Sequence, residues 1–238
     1  MNNNSDISNL TEKYFIQQAE LYGRDFYLEV ENKFPPDTKE AQKLEEFYQQ
    51  IKNCQKCKLS KSRTKFVFGT GNPKAELMCI GEAPGYDEDR QGEPFVGSAG
   101  HLLNRILAAI GFQREEVYIA NIVKCHPSGN RDPEAEEIAQ CFPYLKSQIA
   151  MIKPKVILAL GRVAAQNLLN THESLGSLRN LIHQIEGIKV IVTYHPAALL
   201  RNPQWKRGAW EDVQRLRNLY DEVVGDKPPF DGTQNKSR

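Results

Sequence analysis

The chain has 238 residues, with 31 Lys and Arg against 30 Asp and Glu for a formal net charge of +1; at this length one α/β domain with an extension is the default. The near-neutral balance excludes a global polyanion-binding surface and confines any nucleic-acid footprint to a local patch. No run approaches the roughly 18–20 apolar residues of a membrane span, and residues 1–10 lack the basic-then-apolar layout of a secretory signal, so a cytoplasmic protein without membrane contact is expected.

Residues 1–36 are polar and end in Phe34-Pro35-Pro36, which reads as a break; a short helix over 14–21 is the only element expected in this extension. The folded domain is expected over 37–224. Asp37, with Glu40 three positions on, has the layout of a capping box. The helix that follows places Ala41, Leu44, Phe47, Tyr48 and Ile51 on one face and runs into Cys54. Four short apolar runs then alternate with helical patterns, at 76–80, 117–120, 155–160 and 189–193. Each is rich in Val and Ile and nearly continuously apolar, which suits strands covered on both faces.

Between the strands, Ser98 is placed to cap a helix carrying Leu102, Leu103, Ile106, Leu107 and Ile110, stopped by Gly111. Asp132-Pro133 reads as the opening of a second, with Ile138, Phe142, Leu145 and Ile149 on its apolar face. Residues 162–169 and 207–224 complete the set. This alternation predicts a three-layer α/β/α fold around a four-stranded parallel sheet, whose ligands bind beyond the carboxyl ends of the strands. The tail at 225–238, with Pro228-Pro229, Gly, Gln and Asn, is expected to be disordered.

The chemistry-bearing motifs all follow strand ends. After the first strand comes Gly81-Glu82-Ala83-Pro84-Gly85-Tyr86-Asp87-Glu88-Asp89, continuing through Gly92-Glu93-Pro94-Phe95-Val96-Gly97. A dinucleotide site is a poor fit. The G-x-G-x-x-G spacing is absent, Pro84 removes a backbone donor, and four carboxylates would repel a pyrophosphate. Asn121 ends the second strand, where its amide offers a donor and an acceptor to the edge of a base; an Asn that ties down a turn is the competing reading. After the fourth strand, His195-Pro196 leads into Leu199-Leu200-Arg201, an apolar pair and a cation in an expected exposed loop, suited to wedging into a base stack.

Five cysteines are present, and Cys79 sits in the apolar run Leu77-Met78-Cys79-Ile80 as a small hydrophobe. Cys54, Cys57, Cys125 and Cys141 are spaced C-x2-C, x67 and C-x15-C, a ligand set that suits either zinc or an iron–sulfur cluster. The basic run Lys58, Lys61, Arg63 and Lys65 beside it reads as a phosphate-contacting patch or as an ordinary solvated surface.

Together, GEAPGYDED at 81–89, GEPFVGSAG at 92–100, YIANIVKCHP at 118–127 with Asn130-Arg131, and HPAALLRNP at 195–203 resemble the family 4 uracil-DNA glycosylases, the iron–sulfur type of their superfamily. The likeness spans roughly residues 47–223. It implies a structural 4Fe–4S cluster on Cys54, Cys57, Cys125 and Cys141, and uracil-containing DNA, single- or double-stranded, as the partner of a monomer. Cytoplasmic, nucleoid-associated base-excision repair in a prokaryote follows; sliding-clamp contact is left open.

The resemblance also implies a uracil pocket. Phe95 would stack on the flipped base, Asn121 would read its edge, and His195 would stabilise charge at O2. Glu82 would position water or support the cationic sugar, Glu88 would stand where a thymine methyl falls, and Asn130 would complete the wall. Ala83 occupies the place where related families carry a water-activating Asp or Asn. Breaking an N-glycosidic bond leaves a cationic sugar and a uracil anion, so oppositely signed groups at its two ends are the chemistry required. No lysine lies in the first or third strand-end motif, so a Schiff-base lyase is not indicated. The rival reading is a non-catalytic nucleic-acid-binding module stapled by a four-cysteine metal site.

Overall fold

The structure, a computed structural model, describes residues 38–227. The extension at 1–36, its helix at 14–21, the Asp37 cap and residues 228–238 of the tail lie outside the described residues. The first described helix, α1 (Lys39–Ile51), is capped by Thr38, whose hydroxyl accepts from the Ala41 N–H at 3.2 Å.

The strands are β1 (Thr70–Gly71), β2 (Leu77–Gly81), β3 (Tyr118–Asn121), β4 (Val156–Leu160), β5 (Ile182–Ile185) and β6 (Ile188–Thr193), in the order β1-β3-β2-β4-β6-β5. The four inner strands are parallel, and both edges are antiparallel. The expected four-stranded sheet is therefore corrected to six. β1 is too short for a pattern, and β5 alternates exposed and half-buried positions, so neither carries the continuous apolar run of a covered strand. The β5–β6 hairpin turns at Glu186-Gly187, both at positive φ, as a tight two-residue turn requires.

Strand residues alternate between two cores. Met78, Ile80, Ala120, Ile157 and Val190 pack on one face with Leu44 of α1 and with Leu145 and Ile149 of the 18-residue helix at 135–152. Leu77, Cys79, Ile119, Leu158 and Ile191 pack on the other with Leu103, Leu107, Val213 and Leu216. Helices on both faces make the three layers, and each fully buried Leu or Ile contributes ~1.5–3 kcal/mol. Cys79 lies in the second core, as its neighbours in sequence indicate. Among the described residues no helix is long and apolar enough to cross a membrane.

The remaining helices are α2 (Tyr86–Gln91), α3 (Ser98–Ala109), α4 (Ala135–Ile152), α5 (Arg162–Leu169), α6 (Leu175–Arg179), α7 (Pro196–Arg201) and α8 (Lys206–Val224). Two expected starts move. Gly97, not Ser98, is the residue before α3. The chain at Asp132-Pro133 precedes α4, which begins at Ala135 because the Glu137 carboxylate accepts the Glu134 N–H at 2.8 Å. In the described part of the tail, Lys227 pairs with Glu116 at 2.6 Å and lies over the Phe112 ring.

Candidate active site at the strand tips

The loops after β2, β3, β4 and β6 meet around one cavity of about 710 Å³. Its wall includes Glu82, Ala83, Glu88, Phe95, Asn121, Asn130, His195, Leu200 and Arg201. These come from segments more than a hundred residues apart, brought together by the parallel register of the inner strands.

The floor is set at Gly81, the last residue of β2. A Cβ there would lie 2.4 Å from Asn121 Oδ1 and 2.7 Å from the Phe95 ring, so only glycine lets those two side chains converge. Asn121 is 2 % exposed, and among the described residues its Oδ1 has no hydrogen-bond partner. A buried amide oxygen left unpaired costs about 1–3 kcal/mol of desolvation, a cost that a donor arriving in the cavity would relieve.

Phe95 has φ 54°, a left-handed conformation unfavourable for an aromatic residue. It is held there by Arg114, whose guanidinium donates to the carbonyls of Pro94 at 2.6 Å and Phe95 at 3.1 Å. Gly100 admits the same carbonyl, for a Cβ at that position would sit 1.9 Å from it. The Phe95 ring lies 5.4 Å from the His195 ring, tilted by 31°, and the two form one aromatic corner.

His195 precedes α7 and accepts the Ala197 N–H on Nδ1 at 3.2 Å. That contact fixes the neutral tautomer, with its proton on Nε2. Burial, and secondarily Arg201, lower its pKa to about 4, so the ring stays neutral at physiological pH. Gly161, at the tip of β4 with φ 90°, gives it room.

Two carboxylates of one motif meet different surroundings. Glu88 accepts the backbone N–H groups of Gly85, Val96 and Gly97 at 3.1, 2.9 and 3.1 Å, which lashes the two halves of the motif together as a fixed wall. Glu82 is half-buried, and burial and then the neighbouring Asp132 push its pKa up to about 7, against the pull of Arg162.

The wedge reading is corrected at one residue. Leu199 is 2 % exposed and packs inward from α7, whereas Leu200 is 42 % exposed on the cavity rim beside exposed Arg201. A helical turn separates adjacent residues by about 100°, so an apolar pair there cannot face the solvent together. Asn130, also at φ 54°, stands exposed on the opposite rim.

The cysteine quartet lies under the loop that follows β3. Cys125 and Cys141 are buried, Cys54 and Cys57 partly so. Cys54 and Cys57 act electrostatically on Cys125, and Cys57 and Cys125 on Cys141, so the four share one neighbourhood. Donors point at three of the sulfurs: Arg63 at Cys125 (3.1 Å), the Lys124 N–H at Cys141 (3.2 Å) and the Tyr144 hydroxyl at Cys54 (3.3 Å). Among the described residues no three His, Cys, Asp or Glu side chains are grouped tightly enough to hold a single ion. The basic run is partly committed internally, through Arg63 and through Lys58, which pairs with Glu134 at 2.5 Å.

Several residues of the site escape sequence reasoning. Buried Lys124 donates to the Asn121 carbonyl at 3.0 Å and to Gln148 at 2.6 Å, and so links the pocket floor to the cysteine region. His126 Nδ1 contacts the Pro84 carbonyl at 2.9 Å, and Asp89 accepts the Thr64 N–H on both oxygens. Asp132 pairs with Arg162 at 2.5 Å on the cavity wall. Of the four carboxylates clustered in that motif, Glu88 and Asp89 clasp backbone N–H groups, contacts that the sequence does not reveal.

The uracil DNA glycosylase superfamily model matches residues 68–214. The type-4 uracil-DNA glycosylase of Archaeoglobus fulgidus is 43% identical over 194 residues, 78% of this chain and 96% of that protein. Those of Saccharolobus solfataricus and Sulfurisphaera tokodaii are 46% and 43% identical over 188 residues each, covering 75% and 74% of this chain and 85% and 84% of their own lengths. The chain belongs to the uracil-DNA glycosylase superfamily, and within it to the type-4 uracil-DNA glycosylases.

Proposed function

We propose that this chain flips uracil out of DNA and hydrolyses its N-glycosidic bond, leaving an abasic site in an uncut strand. The observation that carries the reading is the orphaned Oδ1 of Asn121, buried beside the Phe95 ring. Uracil presents a donor at N3, which matches this acceptor; cytosine presents a lone pair there, which repels it. Phe95 stacks on the base, Ala83 and Asn130 flank it, and the lashed Glu88 leaves no slack for a thymine methyl. Leu200 and Arg201 on the rim fill and hold the space that the extruded base vacates.

As the bond breaks, charge grows at both ends. His195, neutral and with Nε2 carrying its proton, donates to O2 as negative charge develops there. Ionised Glu82 faces the cationic sugar and orients the water that captures it. Because the Glu82 pKa is raised to about 7, its ionised form accumulates as pH rises through that value, and excision should rise with it. His195 stays neutral down to pH about 4, so it adds no titration in that window.

The cysteines hold a 4Fe–4S cluster with a structural role. The donor set supports this: thiolates accept N–H and O–H groups, and three of the sulfurs face such donors. Chiefly through burial, Cys141 is pushed up to about 12, and a bound cationic centre reverses that by deprotonating its ligands. Brown protein with a broad visible absorption band is expected, whereas a colourless zinc protein would refute the cluster. The substrate is uracil-containing DNA, acted on by a monomer in the cytoplasm. Release of free uracil from a single-uracil oligonucleotide, with an alkali-labile site left behind, tests the activity. DNA binding without uracil release would identify a binding module instead.

A further inference from the structure

Asp132 lies outside the helix it was expected to open. It reaches the cavity wall, where it pairs with Arg162 at 2.5 Å, at the start of α5. Glu82, at the tip of β2, lines the same cavity, with its carboxyl within hydrogen-bonding reach of Asp132. Two carboxyl groups at such a distance favour sharing one proton over carrying two charges. Glu82 is half-buried while Asp132 and Arg162 are exposed, so the arrangement runs from the cavity outward to solvent.

We propose that Asp132 and Glu82 act as one carboxylate pair, tethered by Arg162, which takes up the proton released when water attacks the sugar. This rests on the glycosylase reading and assigns a positioning role to Asp132, which acts through Glu82. The C1′–N1 bond breaks with its electron pair leaving on uracil, and the water oxygen bonds to C1′. The water O–H then breaks, its proton passing to Glu82 and into the contact shared with Asp132. From there the exposed Asp132 carboxyl returns it to solvent.

Burial alone would disfavour the charged form of Glu82; Asp132 adds to that effect, and Arg162 opposes it. The other ionisable groups of the cavity are Tyr86, Asp87, Glu88, Arg131, Tyr194, His195 and Arg201. Beyond burial, the charged groups that act on Glu82 are Asp132 and Arg162. The two neighbours therefore pull in opposite directions.

The test is the pH profile of single-turnover uracil release from a single-uracil oligonucleotide, for wild type, Asp132→Asn and Arg162→Gln. Removing the negative neighbour should move the acid limb to lower pH by about one pH unit, and removing the positive one should move it to higher pH. Thermal unfolding checks that each variant is folded. If either folded variant keeps the wild-type acid limb, or both move the same way, the pair is overturned. A Glu82→Lys variant guards against an inactive Asp132→Asn: binding of the uncut oligonucleotide should tighten in it, and should tighten further when Asp132→Asn is added, because the carboxylate that partly neutralises the new cation is then gone. Equal tightening in both also overturns the pair. Failure of wild type to release uracil at any pH is a different result, and it sinks the activity itself.

Discussion

The cavity and the cysteine region lie side by side, joined through Lys124, and treat their polar groups in opposite ways. Around the cysteines almost every buried polar atom is partnered. Lys124 and Gln148 bond each other and reach the Asn121 carbonyl, the Phe68 carbonyl and the Tyr118 hydroxyl, and three sulfurs receive donors. In the cavity, Asn121 Oδ1 is left unpaired, Glu82 is held away from its ordinary titration, and Phe95 is bent into a left-handed backbone. The buried amide and ammonium groups beside the cysteines are paired within the chain; the cavity leaves an acceptor open.

Substitutions should divide along that line. The largest expected effect is on stability at the cysteines. Cys125→Ala should give colourless protein destabilised on the order of 5 kcal/mol, the scale of a lost metal site, as read by chemical denaturation. A coloured, fully stable variant would break the comparison. Next, Asn121→Ala and His195→Ala should each lower single-turnover uracil release about 10²–10³-fold, the scale of a lost transition-state hydrogen bond. The denaturation midpoint of Asn121→Ala should stay close to wild type, whereas His195→Ala also loses the acceptor for the Ala197 N–H and should cost about 0.5–2 kcal/mol.

Lys124→Met tests the join. It strips donors from the Asn121 carbonyl and Gln148 and should cost ~2–3 kcal/mol in denaturation. Uracil release at a temperature where the variant is folded should fall less than in Asn121→Ala. The smallest effect is expected on the rim. Leu200→Ala removes ~1 kcal/mol of apolar contact with DNA, roughly a five-fold loss in release, while Leu199→Ala should be the opposite kind of variant, costing ~2–5 kcal/mol in stability as a core truncation.

The sequence made the inner sheet legible because β2, β3, β4 and β6 are covered on both faces and so read as unbroken apolar runs. The edges were hidden: β1 has only two residues, and Ile182–Ile185 alternates like an exposed ribbon. The start of α4 shifted because a tertiary partner outbid a local cap. Asp132 carries the local signature of a helix start, yet its carboxylate goes to Arg162 while Glu137 takes the Glu134 N–H. At the site, residue types at strand ends pointed to Asn121 and His195. The features that set their chemistry are contacts made across the fold: the Nδ1 contact of His195 to Ala197, the glycine that brings Asn121 to Phe95, and the Arg114 clamp. Leu199 and Leu200 look alike in sequence, and only the phase of α7 separates a core residue from a rim residue.

The central claim is that the unpaired oxygen of Asn121 waits for the N3 proton of uracil. Its most direct test compares binding of free uracil and of N3-methyluracil, which lacks that proton, by calorimetry on the intact protein and on Asn121→Ala. Wild type should bind uracil and reject the methylated base, and the variant should lose most of that preference. Equal affinity of wild type for the two bases would contradict the account.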